Sequence, residues 1–324
     1  MTPRALLSAL LVSTLPLAAA PRDVQVKSID FETGLIELHN FGAAVQPLDG
    51  WRFCTHDEDS TRRYTGATGF NGKSLAAGSS LFIHFNNDSP GGADHLNRSS
   101  LGGFFASPLD PGPGGYAMGL YLNSSFASTG SLADFLQWSL GGIDDTNADF
   151  RSHTAAGVLW SDQGAWISTT ATTSRLELTA NLGALNSPAD YTASETFGSW
   201  IAAQGHAAED QDPEDDSDAD QLDNLTDYGH DLHPSVPNAP TERSLEFGFE
   251  DEAGTTYFYL DYTAFLQKTD LTYRGETSDT LDTFGTSGVE ERVLSTTVNQ
   301  ERRRARIEAS NPFGALRLLF GLGT

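Results

Sequence analysis

Hydrophobic residues alternate with polar ones along much of this chain, a pattern typical of strands with one buried face. The alternation is clear in 35–40 and 132–138, and glycine, proline and aspartate lie between successive runs. Many short strands separated by turns predict a mainly β protein built from sandwiches. Further strands are predicted at 24–28, 51–54, 81–85, 116–122 and 175–178.

A second β region is predicted after the proline-containing stretch 235–241, which is typical of a stiff linker. Its alternating runs lie at 245–249, 256–262, 271–274, 292–294, 304–308 and 316–320. Between the two β regions, Phe197, Trp200, Ile201 and Gln204 have helical spacing and predict a short helix. The predicted organisation is a signal peptide (1–20), a β-sandwich (21–190), a helix with an acidic linker (191–240) and a second β-sandwich (241–324).

The acidic linker contains a stretch, 216–227, with the spacing of a twelve-residue calcium loop. Calcium requires six to eight oxygen ligands, which such a loop supplies from alternate positions. The sequence therefore predicts a hinge that binds Ca²⁺. The predicted side-chain ligands are Asp216, Asp218, Asp220, Asn224 and Asp227, and the predicted backbone ligand is the carbonyl of Leu222.

Two residues of this loop depart from the EF-hand pattern. Gln221 occupies the position at which a sharp turn favours glycine, and Asp227 replaces a longer glutamate. The alternative is a solvated acidic linker, because runs of like charge repel one another. Leu222, Leu225 and Tyr228 are spaced three apart, which favours a loop that continues into a helical turn.

Motifs in the first β region resemble the lamin-tail family. They are Gly34–Gly42, with its IELHN strand, then Leu48–Trp51, Ser74–Leu81 and Asp134–Trp138. The resemblance covers about residues 24–185 and implies an immunoglobulin-like sandwich of the kind found in bacterial secreted proteins. The stretch 216–234 is similar to a thrombospondin type 3 or dockerin calcium repeat, although it lacks the glycine.

The charge is strongly acidic, with 19 basic and 44 acidic residues and a formal net charge of −25. Eleven acids lie between Glu209 and Asp231 without any Lys or Arg, which fits a metal site. Nucleic acid is not an expected partner, because phosphate binding needs a basic surface.

Residues 1–20 have the pattern of a secretory signal. Arg4 supplies a positive charge, an apolar core follows, and Ala18–Ala20 form a small-residue ending. We therefore expect a secreted or periplasmic protein without an integral membrane segment.

Other candidate chemistry is weaker. Cys54 and His56 share a strand face and, with His39 and His84 from nearby strands, are a candidate transition-metal site. The alternative is that Cys54, the single cysteine, is a small buried hydrophobe. A further divalent site at 56–59 is less expected than a polar turn. The chain has no HExxH, nucleophile elbow, phosphate loop or dinucleotide fingerprint.

These features predict a secreted, non-catalytic calcium-binding modular protein for extracellular binding, adhesion or surface structure. Its partner is expected to be an extracellular protein or polysaccharide. The alternative is an accessory or catalytic part of a secreted hydrolase acting on nucleic acid or glycan. A third possibility is polysaccharide binding, which Trp160 and Trp166 would suit if they are exposed and not part of the core.

Overall fold

A computed structural model describes residues 21–56, 62–86, 92–102, 109, 111, 115–142, 159–160, 164–179, 186–205, 208–239, 245–278, 281, 283–297, 299–309 and 315–323. The predicted signal segment 1–20 and residues 57–59 of the polar turn lie outside the described residues. The described chain is mainly β, as predicted.

The amino-terminal part is a pair of facing sheets. Its described strands are β1 (Val24–Asp30), β2 (Leu35–Asn40), β3 (Gln46–Pro47), β4 (Arg52–His56), β5 (Arg62–Tyr64), β6 (Ser74–Leu75), β7 (Ser80–His84), β8 (His95–Asn97), β9 (Tyr116–Tyr121), β10 (Leu132–Leu140), β11 (Ile167–Thr169), β12 (Thr173–Leu178) and β13 (Tyr191–Glu195). One sheet has the order β13-β12-β1-β2-β7-β8, the other has the order β11-β10-β9-β4-β5, and β3 pairs with β6.

The core lies between these two sheets. Ile36 and Leu38 of β2 are fully buried, as the alternation in that strand predicts. Trp138 of β10 is also fully buried, and its ring centroid lies 5.8 Å from that of Phe31 and 5.4 Å from that of Tyr116. Burial of side chains of this size contributes about 1.5–3 kcal/mol each, so this aromatic cluster is a major source of stability.

Two short helices follow, α1 (Phe197–Ala203) and α2 (Asn224–His230). Each begins at a residue whose side chain accepts a backbone hydrogen bond, Thr196 from Ser199 and Asp223 from Thr226. Helix α2 ends at Asp231, which has the left-handed conformation common at helix ends. No described helix has both the length and the apolar character needed to cross a membrane.

The carboxyl-terminal part has two further sheets. Its described strands are β14 (Glu246–Glu252), β15 (Thr255–Phe265), β16 (Leu271–Ser278), β17 (Glu290–Thr296), β18 (Gln300–Glu308) and β19 (Ala315–Leu322). Four of them have the order β14-β15-β18-β17, and β16 pairs with β19. Tyr262, Ala264 and Ala305 form the buried centre between the sheets.

Several edge strands were not predicted. β8 and β11 have three residues each and pair in parallel with β7 and β10. Three residues are too few to display a period of two, so hydrophobic patterning does not reveal them. β8 lies within the stretch 89–115, whose glycines and prolines predict a loop.

Replacing Trp138 by Ala tests the core between the two amino-terminal sheets. We expect the free energy of unfolding to fall by about 3–5 kcal/mol, because the substitution removes a buried aromatic ring and leaves a cavity. The measurement is urea denaturation followed by circular dichroism. Val45→Ala is the control, since Val45 is 58% exposed and should change stability by less than about 0.5 kcal/mol. Equal effects of the two substitutions would contradict this description of the core.

Candidate metal centre

The acidic loop is closed by hydrogen bonds from its own backbone to aspartate side chains. Asp216 accepts from the amides of Asp220, at 3.2 Å, and of Gln221, at 2.9 Å. Asp220 Oδ1 accepts from the amide of Leu222 at 2.8 Å. Ala219 and Gln221 have φ angles of +63° and +75°. Gln221 thus adopts the left-handed conformation for which the pattern prefers glycine, at a cost of about 1 kcal/mol.

Asp216, Asp218 and Asp220 converge on one point. They each offer a carboxylate oxygen, and these oxygens lie within 4.8 Å of one another. Oδ2 of Asp218 is buried and has no hydrogen-bond partner. Oδ2 of Asp220 accepts from the amide of Asn238 at 2.8 Å, so the linker toward the carboxyl-terminal sheets is attached to the same group.

Asp227 lies outside this converging group, but it is the most buried of the predicted acidic ligands. It lies on α2, its residue is 1% exposed, and its Oδ1 has no hydrogen-bond partner. Burial, together with repulsion from Asp220, Asp218 and Asp216, raises the pKa of Asp227 to about 7. Its carboxylate therefore lies close enough to the three converging aspartates to feel their charge.

The other buried carboxylates show how unusual Asp227 is. Within the described residues, each of the other four buried acids has a cationic partner. The pairs are Glu37 with Lys27 at 3.0 Å, Asp134 with Arg22 at 2.7 Å, Asp261 with Arg304 at 2.6 Å and Glu276 with Arg317 at 2.8 Å. Asp227 has no ion pair with any described side chain. Because a buried, unpaired carboxylate is strongly destabilising, the compensating positive charge is expected from a bound cation.

The remaining predicted ligands have different positions. Asn224 is fully buried, and its amide nitrogen donates to the carbonyls of Asp210 and Asp212 at 3.1 and 2.9 Å. Its Oδ1 accepts from the hydroxyl of Ser217 at 2.9 Å, so Asn224 braces the loop and is not among the converging side chains. Leu222 is buried, and its amide donates to Asp220.

The donor set fits a hard divalent cation. The converging side chains offer carboxylate oxygens and neither imidazole nor thiolate, which favours Ca²⁺ or Mg²⁺ over Zn²⁺ or copper. Calcium tolerates irregular coordination, whereas Mg²⁺ requires near-octahedral geometry. A resident Ca²⁺ would be held by Asp216, Asp218, Asp220 and Asp227, and it would neutralise their mutual repulsion.

The candidate Cys/His site does not form among the described residues. Cys54 and His56 lie on β4 of the five-stranded sheet, while His39 and His84 lie on strands of the other sheet. Burial raises the pKa of the Cys54 thiol to about 12, which opposes formation of the thiolate that metals bind. His39 instead hydrogen-bonds Ser80 at 2.8 Å.

Trp160 and Trp166 belong to the core, so the condition for a surface polysaccharide site built on them is not met. Their residues are 1% and 6% exposed. The Trp160 ring packs near Phe135, and its Nε1 donates to the carbonyl of Ala165 at 2.7 Å. Sequence alone does not distinguish a core tryptophan from a surface one when the neighbouring strand is too short to be predicted. Trp166 is such a case, because the three-residue strand β11 begins directly after it.

Sequence patterns also missed Lys268, whose buried ammonium group lies where the amino-terminal sheets, α2 and the carboxyl-terminal sheets meet. Its Nζ donates to the carbonyl of Tyr228 at 2.6 Å and to Asp231 at 2.8 Å, and lies 3.6 Å from Glu195. It also lies 4.4 Å from the centroid of the Tyr228 ring. The partners are 37 to 73 residues away in sequence, so no local pattern reveals the cluster.

Asp270 connects both helices at the same place. It accepts from the amide of Phe197, the first residue of α1, at 2.7 Å and from the hydroxyl of Tyr228 at 3.0 Å. Tyr228 packs against Phe197 and Trp200, with ring centroids 5.7 and 5.2 Å apart. We refer to Lys268, Asp270, Tyr228 and Glu195 together as the junction cluster.

Comparisons with known proteins do not supply a family. No protein-family model matches the chain, and no curated protein matches it. The candidate centre therefore stands on its own geometry.

Replacing Asp227 by Asn separates the metal-free from the metal-bound protein. Without Ca²⁺ we expect the variant to be more stable than wild type by about 1–3 kcal/mol, because a buried carboxylate without a donor is removed. With Ca²⁺ in excess we expect the stabilisation by the ion to shrink, because a charged ligand is lost. The measurement is thermal denaturation in chelator and in Ca²⁺.

Glu214→Gln is the matched control, because Glu214 is an exposed acid of the same segment outside the converging group. It should leave both values close to wild type. If Asp227→Asn lowered the stability of the metal-free protein, the buried carboxylate would have an unseen stabilising partner, and the metal centre would lose its basis.

Proposed function

We propose that the protein is a secreted, non-catalytic binding protein whose two β-sandwich modules are held in a defined relative orientation by Ca²⁺. The observation that carries this proposal is the position of α2. One turn of this helix contains Asp227, which the charges of the acidic group repel, and Tyr228, which belongs to the junction cluster. An ion at the loop thus acts on the helix that joins both modules.

The connection between loop and junction is short and made of direct contacts. Asp227 and Tyr228 are adjacent residues, and the Tyr228 carbonyl accepts from Lys268. The Lys268 ammonium group lies between Glu195 of β13 and Asp231 at the end of α2. If repulsion among the aspartates loosened α2, these contacts between the modules would loosen with it.

The linker provides a second connection. Asn238 donates its amide to Asp220 of the acidic group, and strand β14 of the carboxyl-terminal module begins eight residues later at Glu246. Neutralising Asp220 therefore also fixes the segment from which the second module starts. Both connections depend on the same four carboxylates.

Linkage gives the expected size of the effect. An ion that binds only the ordered protein stabilises it by about 0.4–1.4 kcal/mol when its concentration is one to ten times the dissociation constant. Extracellular calcium is commonly millimolar, so a site with a dissociation constant of ~10⁻⁴–10⁻³ M is substantially filled there. A modest loop affinity is thus adequate for a secreted protein.

The binding role rests on the resemblance of residues 24–185 to lamin-tail domains and on the signal-like segment 1–20. Both support export and display. Calcium would then supply the rigidity that disulfides provide in many exported proteins, because a chain with one cysteine cannot form an internal bridge.

Small-angle scattering of the full chain tests the proposal. With Ca²⁺ we expect a compact particle, and after chelation we expect a larger radius of gyration and a lower melting temperature, because the modules separate when α2 loosens. Asp218→Asn with Asp220→Asn should give the same profile in both buffers, because two ligands are lost, and should be less expanded than the chelated wild type, because two repelling charges are removed. An identical scattering profile with and without chelator would contradict the proposal.

Lys268→Met tests the junction without removing a metal ligand. This substitution removes the ammonium group shared by Glu195 and Asp231 but no carboxylate of the loop. We expect a loosened particle even in Ca²⁺ and, because coupling between two sites is reciprocal, a weaker calcium affinity as measured by calorimetry. Arg302→Met is the control, because Arg302 lies on the carboxyl-terminal sheet and pairs there with Glu246. It should alter neither quantity.

A further inference from the structure

A cleft of about 820 Å³ lies beside the junction cluster. It lies between β11 and β13, the edge strands at which the two amino-terminal sheets end. Gln267 and Asn299, from turns of the carboxyl-terminal module, also line it. The backbone joins these parts, since the amide of Glu195 donates to the carbonyl of Gln267 at 2.9 Å and that of Leu266 to Asn299 at 2.8 Å. Both modules therefore build this cleft.

Two polar atoms among the lining residues are buried without a hydrogen-bond partner. One is the indole Nε1 of Trp166, a donor whose residue is 6% exposed, and the other is Oε1 of Gln267, an acceptor. Native proteins satisfy nearly all of their buried polar groups, so each exception calls for a partner. A donor and an acceptor without partners in two residues that line one cleft suit a ligand that both accepts and donates hydrogen bonds.

The rest of the lining is rich in hydroxyl and amide groups and in aromatic rings. The side chains of Ser168, Thr170, Thr192 and Asn299 are exposed, and Tyr191 and Trp200 also line the cleft. Ligand sites commonly combine apolar and aromatic walls with a few polar groups in volumes of roughly 300–1,000 Å³. Sugar rings match this lining, because hydroxyl groups surround apolar C–H faces.

The charged side chains that line the cleft favour a neutral ligand over an anionic one. The ionisable side chains that line the cleft are Glu195 and Asp231, and both lie against the ammonium group of Lys268. One cation between two carboxylates leaves a weakly negative wall. An anionic ligand such as a uronic acid or a phosphate would meet repulsion there, whereas a neutral ligand would not.

We propose that this cleft binds a neutral oligosaccharide, with Trp166 Nε1 donating to one sugar hydroxyl and Gln267 Oε1 accepting from another. The proposal goes beyond the calcium-dependent orientation of the modules, because it assigns a ligand class to a surface that both modules form. It differs from a platform of exposed tryptophan rings, since Trp166 acts through its N–H group at the wall of a cleft.

The test uses the full chain in Ca²⁺ buffer on an array of short neutral and uronic-acid-containing oligosaccharides. The neutral glycan with the strongest signal is then titrated by calorimetry against wild type and two variants. Trp166→Phe keeps an aromatic ring but removes the N–H donor, and Gln267→Met keeps the length of the side chain but removes the acceptor. We expect each variant to bind about tenfold more weakly, as for the loss of one hydrogen bond.

Gln25→Met is the matched control. Gln25 lies on β1, is fully buried, and has both amide atoms unpaired, but it does not line the cleft. This variant should bind like wild type, and thermal denaturation should show all three variants folded. Failure to bind any neutral oligosaccharide, preference for acidic glycans, or equal affinity of wild type and both cleft variants would overturn the proposal. None of these results would alter the calcium titration, so the two proposals fail separately.

Discussion

Electrostatic compensation of buried acids is the constraint on which this structure depends. A carboxylate that leaves water loses a large hydration energy, and only an opposite charge or several donors can offset the loss. The fold meets this requirement at Asp134 through Arg22, across more than a hundred residues of sequence. It meets it again at Asp261, where Arg304 donates from the neighbouring strand. Asp227 is also buried, but the charges that act on it belong to neighbouring aspartates and not to a cation.

The acidic segment differs from an exposed run of acids because it leads to a buried carboxylate, Asp227. An exposed run of acids costs little, because water and salt screen it. Here the loop turns back on itself through backbone amides, and α2 carries Asp227 inward with Tyr228 beside it. The same helix contacts Lys268 and Asp270, so a cation bound at the loop would act on the contact between the two β regions. The cleft between β11 and β13 depends on that contact, because Gln267 belongs to the second module.

The sequence supports the prediction of most of the long strands and of the loop, but not of the contacts that join them. Alternation identifies β2, β10 and β15 because they are long enough to show a period of two. It cannot identify β8 or β11, and it cannot place Trp166, whose burial depends on β11. The aspartate spacing brings Asp216, Asp218 and Asp220 together, because these residues are local in sequence. The brace formed by Asn224 and the junction formed by Lys268 arise from tertiary packing, which spacing does not encode.

The calcium site is best tested by a crystal structure of the full chain grown in Ca²⁺, through its anomalous difference density. We expect one strong peak among Asp216, Asp218, Asp220 and Asp227, with carboxylate oxygens at roughly 2.3–2.6 Å and Asp227 as one of the ligands. Absence of a peak in that group, or a peak elsewhere in the acidic segment with Asp227 unbound, would contradict it.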